Sequence, residues 1–132
     1  MNAGQGARVT PLTQDIEDIM LTCVIRYHID PTKKDHFLRY ARNWGQAIPR
    51  CGADLIGYFA PHEGSTTLAY GLYNVKSLAD YEAYRARLAA DPLGQENYAF
   101  AQREKFLLRE DRTFVTLASA PHGPGQQGGS AE

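Results

Sequence analysis

Apolar and polar residues alternate along segment 22–29, and this period of two predicts a β-strand. The apolar side holds Cys23, Ile25, Tyr27 and Ile29, and the mixed side holds Thr22, Val24, Arg26 and His28. Asp30 and Pro31 come next, and they suit the N-cap and first position of a helix. We therefore expect the apolar side to pack under helices and the mixed side to line a shared cavity.

The period changes from two to that of a helix after Pro31. An apolar stripe recurs at intervals of four, three and four residues: Phe37, Ala41, Trp44 and Ile48. This spacing places the stripe on one side of an amphipathic helix. Pro49 predicts the end of that helix, and Gly52 can adopt the left-handed conformation that closes it.

The middle of the chain predicts a hairpin and a second helix. Segments 54–60 and 66–73 are rich in strand-forming residues and flank a turn at 61–65. Ser77, with an acid three residues later, resembles a capping box that opens a helix over 78–90. The expected buried stripe of this helix is Leu78, Tyr81, Tyr84 (or Arg85) and Leu88.

A further helix and a last strand complete the pattern. Asp91 ends the second helix, and Pro92 can open another. Segment 96–108 is expected to be helical, and segment 113–118 to be the last strand. The expected inward residues of this helix are Tyr98, Ala101 and Phe106.

This order of elements predicts an α+β fold of the ferredoxin-like, split βαβ type. Its four-stranded antiparallel sheet would carry helices on one face. The residues expected on the other face are too apolar to stay wet in a small monomer: Ile56, Tyr58, Leu68, Tyr70, Leu72 and Phe114. A second copy of the sheet would cover them, so we predict a two-fold homodimer with a barrel-like core, a dimeric α+β barrel.

Length and charge narrow the class of protein. A chain of 132 residues supports one domain, here 20–118, between expected disordered segments 1–19 and 119–132. A net charge of −1 without a basic cluster argues against nucleic-acid binding. No window is apolar enough to span a membrane, and no signal region opens the chain. We therefore expect a cytoplasmic protein.

Several motifs are absent from the sequence. There is no phosphate-binding glycine loop, no Gly-x-Ser-x-Gly elbow, no Cys-x-x-Cys and no His-Glu-x-x-His. Nucleotide-dependent, zinc-dependent and serine-hydrolase functions thus have no support, and we expect no cofactor and no metal. Cys23 and Cys51 are expected to be free thiols rather than one disulfide.

Several short motifs in sequence order resemble the NIPSNAP family, in particular its small bacterial members. They are TCVIRY at 22–27 with Ile-Asp-Pro at 29–31, YARNW at 40–44, GYF at 57–59 with PHEG at 61–64, SLADYEAYR at 77–85 with Ala-Asp-Pro at 90–92, and LREDRTF at 108–114. The resemblance implies a dimeric α+β barrel, a fold also used by cofactor-independent monooxygenases and haem-degrading enzymes. It implies no activity, because the family has no established reaction. The family pattern Arg-x-Tyr is replaced here by Arg26-Tyr27-His28.

Arg26 and His28 are the first candidates for chemistry. An arginine facing a barrel cavity must be paired, and its guanidinium fits a ligand carboxylate or phosphate. The alternative is a salt bridge, across the dimer or to an acid of the chain: Glu63, Glu110 or Asp111. His28 could act as a general base, or be a half-exposed histidine at a strand end.

A loop and an aromatic group supply the other candidates. His62 and Glu63 could form an acid/base pair, or simply belong to a turn that touches the partner subunit. The expected pocket residues for a flat apolar ligand are Tyr58, Tyr70 and Tyr73 with Trp44. The alternative is an ordinary core, and we expect this for Trp44 because it continues the helical stripe.

Three functions follow from these residues. The first is a homodimer that binds an apolar or anionic metabolite in a barrel cavity, with Arg26 as its anchor. The second is an enzyme of the cofactor-independent monooxygenase type, which rests on fold analogy alone. The third is a structural protein whose barrel is filled. The sequence favours the first over the second and leaves the ligand unidentified.

Overall fold

The computed structural model describes residues 20–121, which form a four-stranded antiparallel sheet with helices on one side. The elements are β1 (Leu21–Ile29), a 3-10 turn (Pro31–Lys33), α1 (Lys34–Arg50), β2 (Asp54–Phe59), β3 (Leu68–Val75), α2 (Leu78–Ala90), α3 (Pro92–Glu104) and β4 (Leu107–Thr116). The strand order is β2-β3-β1-β4, so β1 lies between β3 and β4. This order confirms the predicted ferredoxin-like, split βαβ architecture.

Short polar side chains begin the helices where the sequence predicts. The Asp30 carboxylate accepts a hydrogen bond from the Thr32 amide, and the Ser77 hydroxyl accepts one from the Asp80 amide. Asp91 begins α3 in the same way, because its carboxylate accepts from the Gly94 amide. These bonds satisfy amides that lack an intrahelical partner.

The core lies between the sheet and the helices. The predicted apolar side of β1 is buried there in full, and so is most of the α1 stripe. Tyr27 of β1 packs edge-on against Phe37 of α1, with ring centroids 5.5 Å apart. The α1 helix continues through Pro49 and ends at Arg50, one residue later than predicted. Gly52 then has the expected positive φ, 106°.

A bulge in β2 changes which residues face the helices. Gly57, and not Ile56, pairs with Leu72 of β3, so the alternation shifts by one residue at this point. Tyr58 therefore points to the helix side, and the prediction that it shares a face with Tyr70 is wrong. Phe114 is also on the helix side, because β4 pairs it with Cys23.

Three further predictions about side-chain burial need correction. Leu78 is 56% exposed, because it occupies the first helical position after the Ser77 cap. The third helix starts at Pro92 and ends at Glu104, so Phe106 is buried from the connection to β4 and not from the helix. Tyr98 is 38% exposed, whereas Ala101 packs against the core as expected.

The predicted segment 1–19 lies outside the described residues, as does all of the predicted tail 119–132 except 119–121. Cys23 and Cys51 are both buried, free thiols. Within residues 20–121, no helix combines the length and the apolarity needed to cross a lipid bilayer.

Candidate functional site

A small cavity lies between the sheet and the helices, and we call it the tyrosine cavity. Its volume is about 20 Å³, enough for one water-sized group. Aromatic residues supply most of its lining: Tyr27, Tyr40, Trp44, Tyr58, Tyr73, Tyr84 and Tyr98. Aliphatic residues and three charged ones complete it: Ile25, Ile48, Leu88, Arg85, Glu110 and Arg112. The cavity is therefore polar although it borders the apolar core.

Two tyrosines join the strands across the cavity. The hydroxyl groups of Tyr27 and Tyr58 are 3.1 Å apart and share a hydrogen bond. The ring of Tyr58 lies directly over Gly71 of β3, where a Cβ atom would come within 2.6 Å of the ring. Gly71 thus leaves the space that the Tyr58 ring occupies, and the bulge in β2 turns that ring toward the helices.

Burial raises the pKa values of five phenols that line the cavity. It raises the pKa of Tyr40 to about 12 and the pKa values of Tyr27 and Tyr58 well above the usual range. Burial also raises the pKa values of Tyr73 and Tyr84. A neutral phenol can donate one hydrogen bond, so the cavity offers a set of neutral donors at physiological pH.

Trp44 adds a donor that has no partner. Its Nε1 atom is buried and forms no well-aligned hydrogen bond among the described residues. The Tyr40 hydroxyl is close enough for the indole to lower the pKa of Tyr40 against the effect of burial. Buried polar atoms are satisfied in the great majority of cases, so an unpaired one requires an explanation. The Trp44 ring packs edge-on against Tyr40 and Tyr98, with centroids 5.6 and 5.1 Å away. The indole thus belongs to the wall of the cavity as well as to the core.

A buried amide pair holds α3 against α1 beside this indole. Asn97 is fully buried and donates to the backbone carbonyl of Tyr40 at 3.0 Å. Its side-chain oxygen accepts from the Asn43 amide at 2.9 Å. Tyr98 follows Asn97 directly, so these bonds fix the position from which Tyr98 reaches Trp44.

Charged groups lie on the β4 and α2 side of the cavity. Arg112 donates to the Glu110 carboxylate at 2.9 Å and to the Tyr81 hydroxyl at 3.4 Å. Arg85 donates to the same hydroxyl at 2.6 Å. Tyr81 is held in turn by Phe114, whose ring lies 4.7 Å away edge-on. One hydroxyl thus orients both guanidinium groups.

Three of the predicted site residues lie on the opposite, open side of the sheet. Arg26 and Tyr70 are paired across β1 and β3. The Arg26 guanidinium lies 3.6 Å from the Asp111 carboxylate, which also accepts from Arg109 at 3.0 Å. Asp111 is one of the acids that the sequence offers as a partner for Arg26. His28 shares a 3.2 Å hydrogen bond with the Thr67 hydroxyl.

The loop between β2 and β3 holds the other two candidates, His62 and Glu63, apart from the tyrosine cavity and from the open-side residues. His62 and Glu63 are exposed, and neither forms an ion pair with any residue in the part of the chain that the structure describes. Across residues 20–121, no group of three histidine, cysteine or acidic side chains is arranged to hold a metal ion. Among the predicted candidates, Tyr58, Tyr73 and Trp44 line the tyrosine cavity, and Arg26, His28, His62, Glu63 and Tyr70 do not.

A family model for NIPSNAP matches residues 22–121, which is most of the chain. The chain belongs to the NIPSNAP family. No curated protein matches the sequence.

Solved structures of other NIPSNAP proteins have the same fold. A NIPSNAP domain protein from Burkholderia xenovorans is 28% identical, with a TM-score of 0.60 over 77% of this chain and 99% of that one. A NIPSNAP family protein of unknown function from Agrobacterium tumefaciens is 20% identical, with a TM-score of 0.65 over 81% and 94%.

The fold extends beyond NIPSNAP proteins. A Nitrosomonas europaea protein named "Putative antibiotic biosynthesis monooxygenase" is 12% identical, with a TM-score of 0.59 over 75% of this chain and 90% of that one. The described residues thus share the ferredoxin-like, split βαβ fold with these proteins, as the sequence predicts.

The sequence also contains signals for parts of the cavity that it did not identify as a site. Tyr58 and Tyr73 are expected pocket residues, and both line the cavity of this NIPSNAP protein. Trp44 also lines it, although the sequence predicts ordinary core for this residue. Tyr84 occupies the buried position of the α2 stripe, and Arg85 beside it is a half-buried cation, which indicates a specific partner. No sequence pattern indicates Arg112 as a cavity residue, because the face of the sheet that it occupies depends on the register of β4 against β1.

Proposed function

We propose that this NIPSNAP protein is a homodimer that binds a small molecule with a polar head in the tyrosine cavity. The observation that carries this proposal is the unpaired Nε1 donor of Trp44 in the cavity wall. A ligand oxygen would give that donor a well-aligned acceptor, which the Tyr40 hydroxyl does not provide.

The composition of the cavity supports binding over a merely filled core. An ordinary core can be closed with aliphatic side chains, which have no polar atoms to satisfy. Here five buried or half-buried tyrosines and one tryptophan meet at one point, and a hydroxyl or indole donor accompanies each ring. These donors favour a ligand that presents hydrogen-bond acceptors.

The open side of the sheet supports the homodimer. Ile56 and Phe59 are 52% and 51% exposed there, and β3 adds Leu68, Tyr70 and Leu72, which are half-buried. An apolar surface of this kind is typical of an interface. A second copy would pack its sheet against this one, and Arg26 and His28 would then lie in an interior that the two copies share.

A second candidate function is a cofactor-independent monooxygenase. The fold shared with the Nitrosomonas protein and its printed name favour it, although fold alone is a weak warrant. This candidate requires turnover of a bound molecule, in which His28 on the open side or the phenols of the cavity would handle protons.

Native mass spectrometry of the gently purified full chain tests the proposal, with a denatured sample as control. We expect a dimer that carries a small molecule, and Trp44→Phe should lose that mass because it removes Nε1 but keeps a ring. Tyr70→Phe, which removes a hydroxyl from the open side, is the matched control and should keep it. Dimers that carry no mass and bind nothing on later screening would support the filled-barrel function instead.

A further inference from the structure

We infer that the ligand of the tyrosine cavity is a carboxylate, and that Arg85 is its counter-ion. This inference rests on the proposed function and adds the chemical class of the ligand. It also differs from the sequence-based expectation of Arg26 as the anchor, because Arg26 lies on the open side beside Asp111.

Arg85 has no acidic partner within residues 20–121. It lines the cavity from α2 and is half-buried, and its one hydrogen bond among the described residues goes to the neutral hydroxyl of Tyr81. The ion pairs found within residues 20–121 do not include it. A partly buried charge without a counter-ion is costly, so this position favours an anion.

The neighbouring charges do not compensate Arg85. Glu110 is the one acid in the lining, and Arg112 already pairs with it. Two guanidiniums and one carboxylate therefore leave one net positive charge at the cavity. Arg85 and Arg112 both donate to Tyr81, so that charge is held in a fixed place.

The size and the donors of the cavity select the head group. A space of about 20 Å³ admits one oxygen-sized group and not a whole ring. The phenols, the Trp44 indole and Arg85 can all donate hydrogen bonds, which suits an oxygen acceptor. A carboxylate can place one oxygen in the cavity and the other against the guanidinium fork of Arg85.

Matched pairs of acids and amides test this inference: acetate with acetamide, and benzoate with benzamide. Each pair has nearly the same shape and differs in charge. Trp44 is the single tryptophan of the chain, so its fluorescence reports binding at the cavity. We expect at least one acid to bind about tenfold or more tightly than its amide, since a charge-assisted bond is the stronger one, and added salt to weaken it.

Variants then identify the counter-ion. Arg85→Gln should remove the preference for the acid, and Arg85→Lys should restore part of it. Arg103→Gln is the matched control, because Arg103 is 61% exposed on α3 and lies outside the cavity lining. Thermal unfolding of each variant confirms that the fold is intact.

The outcomes separate the two claims. If the amides bind as tightly as the acids, or Arg85→Gln keeps the preference, the inference is wrong and the proposed binding function stands. If no acid and no amide changes Trp44 fluorescence or binds by calorimetry, the inference is overturned, and the mass retained in native mass spectrometry decides the proposed function separately.

Discussion

The two sides of the sheet place their polar groups in opposite settings. On the helix-covered side, tyrosine hydroxyls and an indole meet in a small cavity within an aromatic core. On the open side, Arg26, Asp111 and Arg109 form ion pairs that solvent reaches. The two sets meet at β1, where Tyr27 faces the helices and the adjacent Arg26 faces the open side.

The difference shows that formal charge alone does not mark where buried hydrogen-bond donors gather. Arg26 and His28, the residues of β1 to which the sequence-based prediction pointed, lie on the open side. The covered side looks apolar in sequence, yet its tyrosines combine a large apolar ring with a donor at the tip. The unpaired donor and the uncompensated cation both lie on this covered side.

Raising the pH should have the largest effect, and it acts on the covered side. Tyr40 has a pKa of about 12 when folded, against about 10 when unfolded. Its contribution is thus complete below about pH 10 and is lost as the pH rises through about 12, because the unfolded chain releases the proton first. Loss of the Tyr40 contribution alone would lower the free energy of unfolding by about 3 kcal/mol.

The other buried phenols shift in the same direction and add to this loss. Urea unfolding at neutral and at alkaline pH measures it. Tyr40→Phe should make the alkaline loss smaller. A free energy of unfolding that stays constant through the alkaline range would contradict the described burial of these tyrosines.

Shortening one side chain on each side of β1 compares the two sides directly. Ile29 is fully buried under the helices, so Ile29→Ala should lower the free energy of unfolding by about 2–5 kcal/mol. Val24 lies on the open side and is half-buried, so Val24→Ala should cost about 1 kcal/mol. Urea denaturation measures both, and equal losses would mean that the two sides are equally buried.

A charge on the open side tests the proposed dimer. Leu72→Asp should raise the dimer dissociation constant by about thirtyfold or more, since an unpaired carboxylate would be buried between the sheets. Leu78→Asp is the control, because Leu78 is exposed at the start of α2, away from that side. Analytical ultracentrifugation gives the dissociation constant, and an unchanged dimer with Leu72→Asp would exclude this interface.

Removing the Arg26 charge should have the smallest effect. The Arg26–Asp111 contact is 3.6 Å long and both side chains are exposed, so Arg26→Gln should change unfolding by less than about 1 kcal/mol. Salt should reduce even this difference. Benzoate binding should be unaffected. A large loss of ligand affinity in Arg26→Gln would indicate that Arg26, on the open side, anchors the ligand.

Local chemistry explains which parts of the fold the sequence predicts. The α1 stripe and the Ser77 cap depend on neighbours within one helical turn, so spacing alone reveals them. The side of the sheet on which Phe114 lies depends on the register of β4 against β1. Contacts between residues far apart in sequence set that register. Tyr98 reaches the cavity through the Asn97 bond to the Tyr40 carbonyl, and no periodic pattern contains that bond.

The bulge at Ile56 and Gly57 also determines how the length of β2 can change without altering the cavity. The extra residue lies within a single strand, and the pairing of β1 to its neighbours is unaffected. If β2 paired at its present length without a bulge, Tyr58 would lie opposite Tyr70 and its ring would turn away from the helices. Deleting Ile56 would remove the bulge but keep Tyr58 opposite Gly71, so the ring would stay in the cavity. Loss of one residue at this point is therefore compatible with the cavity lining, whereas a shift in register is not.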